Sequence, residues 1–239
     1  MYKYKLKNIF SLLQNYSAIA FIKAYIQFIL SYYFNYIYIK KERENFLKYI
    51  KKKDFFFTQD WFSKHVFYWN YIFDHNLKNK PKKILEIGCF EGMSAVFFLK
   101  KFKKSKLHIV DTFQGSKEQV GIKDFSSLKK IFLNNTKKNK KRIKIFTMTS
   151  KKFLLQDNNC KYDLIYIDGS HFYKDVYFDG KYCLKLLNKG GLLVFDDYFW
   201  KFYDGKKNPI NAINKFYNNH KDNIKLIGIT SQIFFKKIN

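Results

Sequence analysis

Apolar and polar positions change their rhythm along the chain. In the second part, short strand-like runs occur at Lys83–Ile87, Leu107–Val110, Ile143–Phe146, Leu164–Ile167, Leu192–Phe195, Ile224–Ile227 and Gln232–Phe235. Helical patterns lie between most of them, at Ser94–Phe102, Ser126–Asn134, Lys151–Leu155, Tyr173–Leu187 and Ile210–Asn219. Short β-rich runs that alternate with helices predict a parallel sheet covered on both faces. Only Gly228–Ser231 separates the last two runs. That link is too short for a crossover, so it makes a hairpin and one strand runs antiparallel. The expected fold is α/β, a doubly wound, Rossmann-like, seven-stranded sheet with a terminal antiparallel hairpin and ligands at the carboxyl ends of its strands.

Glycine and proline divide the chain. Residues 1–80 contain neither, whereas all ten glycines fall between Gly88 and Gly228. A long stretch without breakers reads as helical. We therefore expect an aromatic-rich helical arm over 1–80 and a ligand-binding domain over 81–239, with the boundary near Asn79–Lys82. Within the arm, Lys23, Gln27, Ser31 and Asn35 form one polar stripe on an otherwise apolar run from Ala18 to Ile39, lined by Tyr25, Tyr32, Tyr33, Tyr36 and Tyr38. Packing on the catalytic domain or on a second subunit, lying in a membrane interface, and spanning the bilayer all compete as readings. Polar groups on every turn count against the last. The next segment, Asp54 to His75, is crowded with aromatics that suit burial or the wall of a substrate pocket.

Composition adds bounds. The chain has 239 residues, 47% hydrophobic and 21% aromatic, enough for a sizeable core. Its formal charge is +27, but 44 of the 46 basic residues are lysine. Dedicated nucleic-acid readers favour arginine, whose planar fork pairs bidentately with phosphate and guanine. The charge is spread along the chain, and Lys, Asn, Ile, Phe and Tyr abound together, as AT-rich codons would produce. Genome composition accounts for the charge better than a selected anionic partner. Cys89, Cys160 and Cys183 form no C-x-x-C pair. With no segment that reads as a signal peptide, they point to a reducing cytoplasm, with membrane-peripheral contact through the arm as the variant.

The strand ends carry the candidate chemistry. The first strand runs into Glu86, Gly88 and Gly92, and a helix begins near Ser94. The spacing is E-x-G-x-x-x-G rather than the G-x-G-x-x-G of dinucleotide folds, so this helix start suits an amino-acid carboxylate better than a pyrophosphate. The second strand ends at Asp111, 25 residues after Glu86, placed to accept hydrogen bonds from ribose hydroxyls. Asp168 follows the fourth strand and Asp196–Asp197 the fifth.

These features resemble the class I S-adenosylmethionine-dependent methyltransferases from about Lys82 onward. The likeness is nearest to the small-molecule O-methyltransferase branch with I-D-G-x-H and D-D motifs, found among macrolide and sugar enzymes. Here the motifs stand as Ile167-Asp168-Gly169-Ser170-His171 and Asp196-Asp197. The resemblance implies that Glu86, Gly88, Gly92 and Ser94 surround the methionine moiety, Asp111 the ribose, and Met148, Thr149 and Ser150 the adenine. Residues 1–50 inherit nothing from it.

Three carboxylates at adjacent strand ends repel one another unless protonated, hydrogen-bonded or neutralised. Asp168, Asp196 and Asp197 are therefore candidate ligands of Mg²⁺, and Asp168 and His171 candidate catalytic residues, His171 as the general base. Capping and structural roles are the plainer readings of each. His108 reads as a packed strand residue, Cys89 as a packing residue, and His65, His75 and His220 as exposed and without a role. The favoured function is O-methylation of a small hydroxylated acceptor such as a sugar or glycolipid. Nucleic-acid methylation is the first alternative. The chain lacks the N-P-P-Y of base amino-methyltransferases, which leaves ribose methylation open. A non-catalytic basic protein at a membrane surface is the second.

Overall fold

The computed structural model describes Ile26 and residues 36–116, 125–156 and 160–239. The polar stripe at Lys23, Gln27, Ser31 and Asn35, and Tyr25, Tyr32 and Tyr33 beside it, lie outside the described residues. The first described helix, α1, runs Tyr36–Lys52, and a 3₁₀ turn, Ser63–His65, leads into α2, Val66–Asn76. The alternating part follows as β1 (Lys83–Ile87), α3 (Met93–Lys101), β2 (Lys106–Asp111), α4 (Leu128–Thr136), β3 (Ile143–Thr147), α5 (Ser150–Leu154), β4 (Tyr162–Ile167), α6 (Tyr173–Leu186), β5 (Leu187–Phe195), α7 (Pro209–His220), β6 (Ile224–Ile229) and β7 (Ile233–Lys237). The seven strands form one sheet in the order β3-β2-β1-β4-β5-β7-β6. The first five strands are parallel, and β7 runs antiparallel between β5 and β6. The expected doubly wound sheet with its terminal hairpin is therefore the observed one.

Strand period 2 sorts the buried residues onto two faces. Leu85, Ile87, Ile165, Ile167, Leu193 and Phe195 face one core with α5, α6 and α7. Ile84, Leu107, Ile109, Leu164, Tyr166 and Val194 face the other, with α1, α2, α3 and α4. On α1, Phe46 and Ile50 lie one turn apart and are the buried positions, while Tyr36, Ile37 and Tyr38 stay exposed. The aromatic segment serves two ends. Phe62, Phe67, Trp69 and Phe73 are buried, whereas Phe56, Trp61 and Tyr71 face outward.

One boundary differs from expectation. Strand β5 starts at Leu187, directly after α6, and passes through Gly190 and Gly191. Those glycines read as a turn in sequence, but at Gly191 a Cβ would sit 2.9 Å from the Asp163 carbonyl oxygen. They permit a close strand approach and a register shift against β4 between Tyr162 and Leu164.

Among the described residues, no helix is long and apolar enough to cross a membrane. Trp69 ties the N-terminal segment to the sheet. It is fully buried, packs edge-on against Phe98, Tyr166 and Phe234, and donates Nε1–H to Gln232 Oε1 at 2.7 Å. Trp69→Ala should lower unfolding free energy by about 4 kcal/mol, the cost of a large core cavity, read as a shifted urea midpoint. An unchanged midpoint would show that α2 contributes nothing to the core.

Candidate active site

The carboxyl ends of β1 to β5 share one edge of the sheet, and the expected residues fall on it strand by strand. Glu86 is buried within β1 and accepts a hydrogen bond from Ser94 Oγ, while its Oε2 has no partner among the described residues. Burial, with Asp168 and Asp111 nearby, pushes this carboxyl well above its usual range. Gly88 follows with φ +78°, and a Cβ on it would stand 2.0 Å from the Asp168 carbonyl oxygen. The turn must be glycine because β4 ends against it. Gly92, also in the left-handed region, begins α3.

Asp111, at the end of β2, holds the surrounding loops. Its Oδ2 accepts the amides of Cys89 at 2.7 Å and Phe90 at 3.2 Å, and Oδ1 accepts that of Phe113 at 2.7 Å. The carboxylate thus fixes the glycine turn from the neighbouring strand, and Oδ1 keeps a lone pair for another donor. Met148, Thr149 and Ser150 follow β3, beside the end of β2. Thr149 caps α5 by accepting the Lys152 amide, and burial raises the carboxyl of Asp179 to about 7.

At the ends of β4 and β5 the acidic residues separate. Asp168, His171 and Asp197 converge, with one potential ligand atom from each within 4.8 Å of the others. His171 Nε2 lies 3.2 Å from Asp197 Oδ2 and 3.8 Å from Asp168 Oδ1. Burial and the adjacent Asp196 charge raise both Asp168 and Asp197 above the ordinary carboxylate range, and His171 opposes the shift in both. Asp196 departs from the expected trio. Its Oδ2 accepts from Gln232 Nε2 at 2.8 Å and from the Tyr166 hydroxyl, and its Oδ1 accepts the Asp197 amide at 2.6 Å. The pair splits because Asp197 adopts φ +48°, which sends successive side chains in different directions.

Residues 85–198 match the family described as a methyltransferase domain. Those residues, just under half of the chain, are thus similar to a methyltransferase domain. The chain's fold is that of the S-adenosylmethionine-dependent O-methyltransferases. The O-methyltransferase from Bacillus cereus, solved in complex with SAH, superposes with TM-score 0.57 at 14% identity, over 83% of this chain and 91% of that one. The MycE methyltransferase of the mycinamycin biosynthetic pathway, solved with Mg, SAH and mycinamycin VI, gives TM-score 0.55 at 16% identity, over 84% of this chain and 54% of that one. At these identities the likeness is one of fold. In sequence, the chain is 29% identical over 173 residues to the uncharacterized protein R132 of Acanthamoeba polyphaga mimivirus, covering 70% of this chain and 72% of the relative.

The N-terminal segment brings residues to the candidate site that its sequence did not advertise. His65 is 5% exposed, not the surface residue expected, because the 3₁₀ turn folds it inward beside Phe62. Burial lowers its imidazole to about 4, although Asp196 pulls the other way. The readable signal was spacing, since His65 and Trp69 stand four apart on one helical face. Trp61 packs at a tilt against Phe90 of the glycine turn, ring centroids 4.5 Å apart, and Thr58 gives Glu91 its amide at 2.6 Å and its hydroxyl at 2.7 Å. Trp200 packs 5.4 Å from the His171 ring, and its buried Nε1 has no hydrogen-bond partner among the described residues.

His65 gives a pH signature. Its folded pKa lies below the unfolded value of about 6.5, so the unfolded chain takes up a proton first as pH falls. Its contribution is complete above about pH 6.5 and is lost as pH falls toward 4. In denaturant titrations His65→Gln should flatten stability across that window by about 3 kcal/mol relative to the parent. A parallel pH profile in the variant would contradict the buried neutral state.

Proposed function

We propose that this protein transfers the methyl group of S-adenosylmethionine to a hydroxyl oxygen of a small acceptor such as a sugar or glycolipid. The observation that carries the reading is the convergence of Asp168, His171 and Asp197 at the strand ends beside the glycine turn. The residues suit the cofactor. The unpartnered Glu86 Oε2 offers a buried acceptor for an ammonium group, and a cation there would offset the burial that raises its carboxyl. Glu86, Gly88, Gly92 and Ser94 would hold the methionine end, Asp111 Oδ1 a ribose hydroxyl, and Met148, Thr149 and Ser150 the adenine side. When bound, S-adenosylmethionine supplies a methyl on a sulfonium sulfur, which keeps the C–S electron pair as the acceptor oxygen takes the carbon.

His171 Nε2 takes the proton from the acceptor hydroxyl, and Asp197 Oδ2, 3.2 Å away, stabilises the imidazolium that forms. Trp200 orients the acceptor through its buried N–H and shields the imidazole with its ring. The donor set also fits Mg²⁺, which is commonly held by one or two carboxylates with its remaining positions on water or substrate oxygens. Asp168 and Asp197 would hold it, and its contribution would be to acidify the acceptor hydroxyl. Asp196 serves this pair from behind, fixed by Tyr166 and Gln232.

Calorimetric titration with S-adenosylmethionine, in Mg²⁺ and then in EDTA, tests the two halves separately. Binding near −8 kcal/mol, in the micromolar range, is expected in both conditions. Asp111→Ala should weaken it, whereas Asp197→Ala and His171→Ala should leave it intact and lower kcat by about 100-fold or more. No cofactor binding by the folded protein would overturn the proposal, and full activity of His171→Ala would remove the base.

A further inference from the structure

We infer that the acceptor carries a phosphoryl group, bound in a cavity of about 710 Å³ between the start of α6 and the loop after β5. The inference rests on the methyl transfer proposed above and names the acceptor's second recognition point. The volume is in the range of small-molecule sites. Lys174, Lys206 and Lys207 line it with Asp204 as the acid among them, a formal excess of two positive charges. A phosphoryl group at neutral pH carries about −1.5 to −2, and the net positive charge of the three exposed lysines around the opening is of the sign that attracts it.

The cavity's position links it to the chemistry. Phe172, on its wall, directly follows His171, and the opposite lip belongs to the loop that leaves Asp197. Consecutive Cα atoms lie about 3.8 Å apart, so one wall residue is chain-adjacent to the proposed base. Charge changes sign over that step, from the acidic cluster of Asp168 and Asp197 to the lysine-lined cavity. An acceptor with a hydroxyl at one end and a phosphoryl at the other is thereby oriented, and the reverse placement puts phosphate against carboxylates.

The lip is also a formed surface. Asn208, 5% exposed, accepts the amides of Phe202 at 2.9 Å and Tyr203 at 3.0 Å and donates to the Tyr203 carbonyl at 2.6 Å. The Tyr173 amide at the start of α6 donates to the Lys207 carbonyl at 2.9 Å, and Phe172 packs edge-on against Tyr203 at 5.0 Å. Lys206 and Lys207 are therefore carried on a loop that a buried side chain pins and α6 receives. The aromatic faces of Phe172 and Tyr173 add apolar wall suited to the body of a sugar or ring compound.

Inorganic pyrophosphate is the probe, titrated calorimetrically into the full chain at about 0.15 M salt, where charges more than about 8 Å apart are largely screened. The triple variant Lys174→Ala/Lys206→Ala/Lys207→Ala should bind it about tenfold or more weakly than the parent. Lys48→Ala/Lys138→Ala/Lys225→Ala removes three exposed lysines away from the cavity. It should change affinity by less than about twofold. Equal weakening in the two triple variants would show a diffuse response of the basic surface and overturn the site, as would absence of pyrophosphate binding by the parent. S-adenosylmethionine titrated into the same samples reports on the transfer reading independently. Its binding should be equal in all three proteins, and its absence in the parent would sink the methyl-transfer proposal whatever pyrophosphate does.

Discussion

Asp196 is a carboxylate set behind the Asp168–His171–Asp197 cluster, and the surrounding architecture answers the need to satisfy it. A charge taken from water must be paired or hydrogen-bonded, because leaving it alone costs several kcal/mol. Here the donors come from distant parts of the chain. Gln232, at the β6–β7 turn, donates at 2.8 Å, and the Tyr166 hydroxyl of β4 reaches the same oxygen. Trp69 of α2 then fixes the amide of Gln232 from its other end at 2.7 Å. The same Tyr166 hydroxyl stands 3.1 Å from Asp168 Oδ2. This chain of polar contacts runs from the N-terminal segment through the hairpin to the cleft. It turns Asp196 into a support and leaves Asp168 and Asp197 facing the opening.

The strands were legible because a buried parallel sheet demands runs of apolar residues, and this chain supplies them with few interruptions. The start of β5 was not, since Gly190 and Gly191 are turn residues by habit and strand residues here by proximity to β4. At the site, position was readable and orientation was not. Glu86, Gly88 and Asp111 could be placed from the ends of strands. That Asp111 would hold the amides of Cys89 and Phe90 depends on how two loops meet, which no local pattern records. Asp196 and Asp197 looked alike in sequence, and only a left-handed φ at Asp197 tells them apart. His65 was read as exposed from the polar context it shares with His75 and His220, whereas its spacing to Trp69 pointed inward.

The N-terminal segment bears on the ligand edge through the glycine turn as well. Thr58 holds Glu91, Trp61 covers Phe90, and Asn135 accepts the Phe56 amide at 3.0 Å while donating to the Glu91 carbonyl at 2.9 Å. Phe90 and Glu91 both lie between Gly88 and Gly92. The glycine turn is thus held from below by Asp111 and from outside by residues 56–61. A preorganised loop spends less binding free energy on ordering itself.

The placement of β7 has a consequence for biosynthesis. It inserts between β5 and β6, so β6 has no other neighbour in the sheet and joins it only once β7 docks on β5. Gln232, which completes the surroundings of Asp196, arrives with that same strand. The nascent chain can assemble the parallel half of the sheet and its glycine turn early. The carboxylate edge is left electrostatically unfinished until the hairpin closes, so the glycine turn can settle before the acidic cluster beside it is complete.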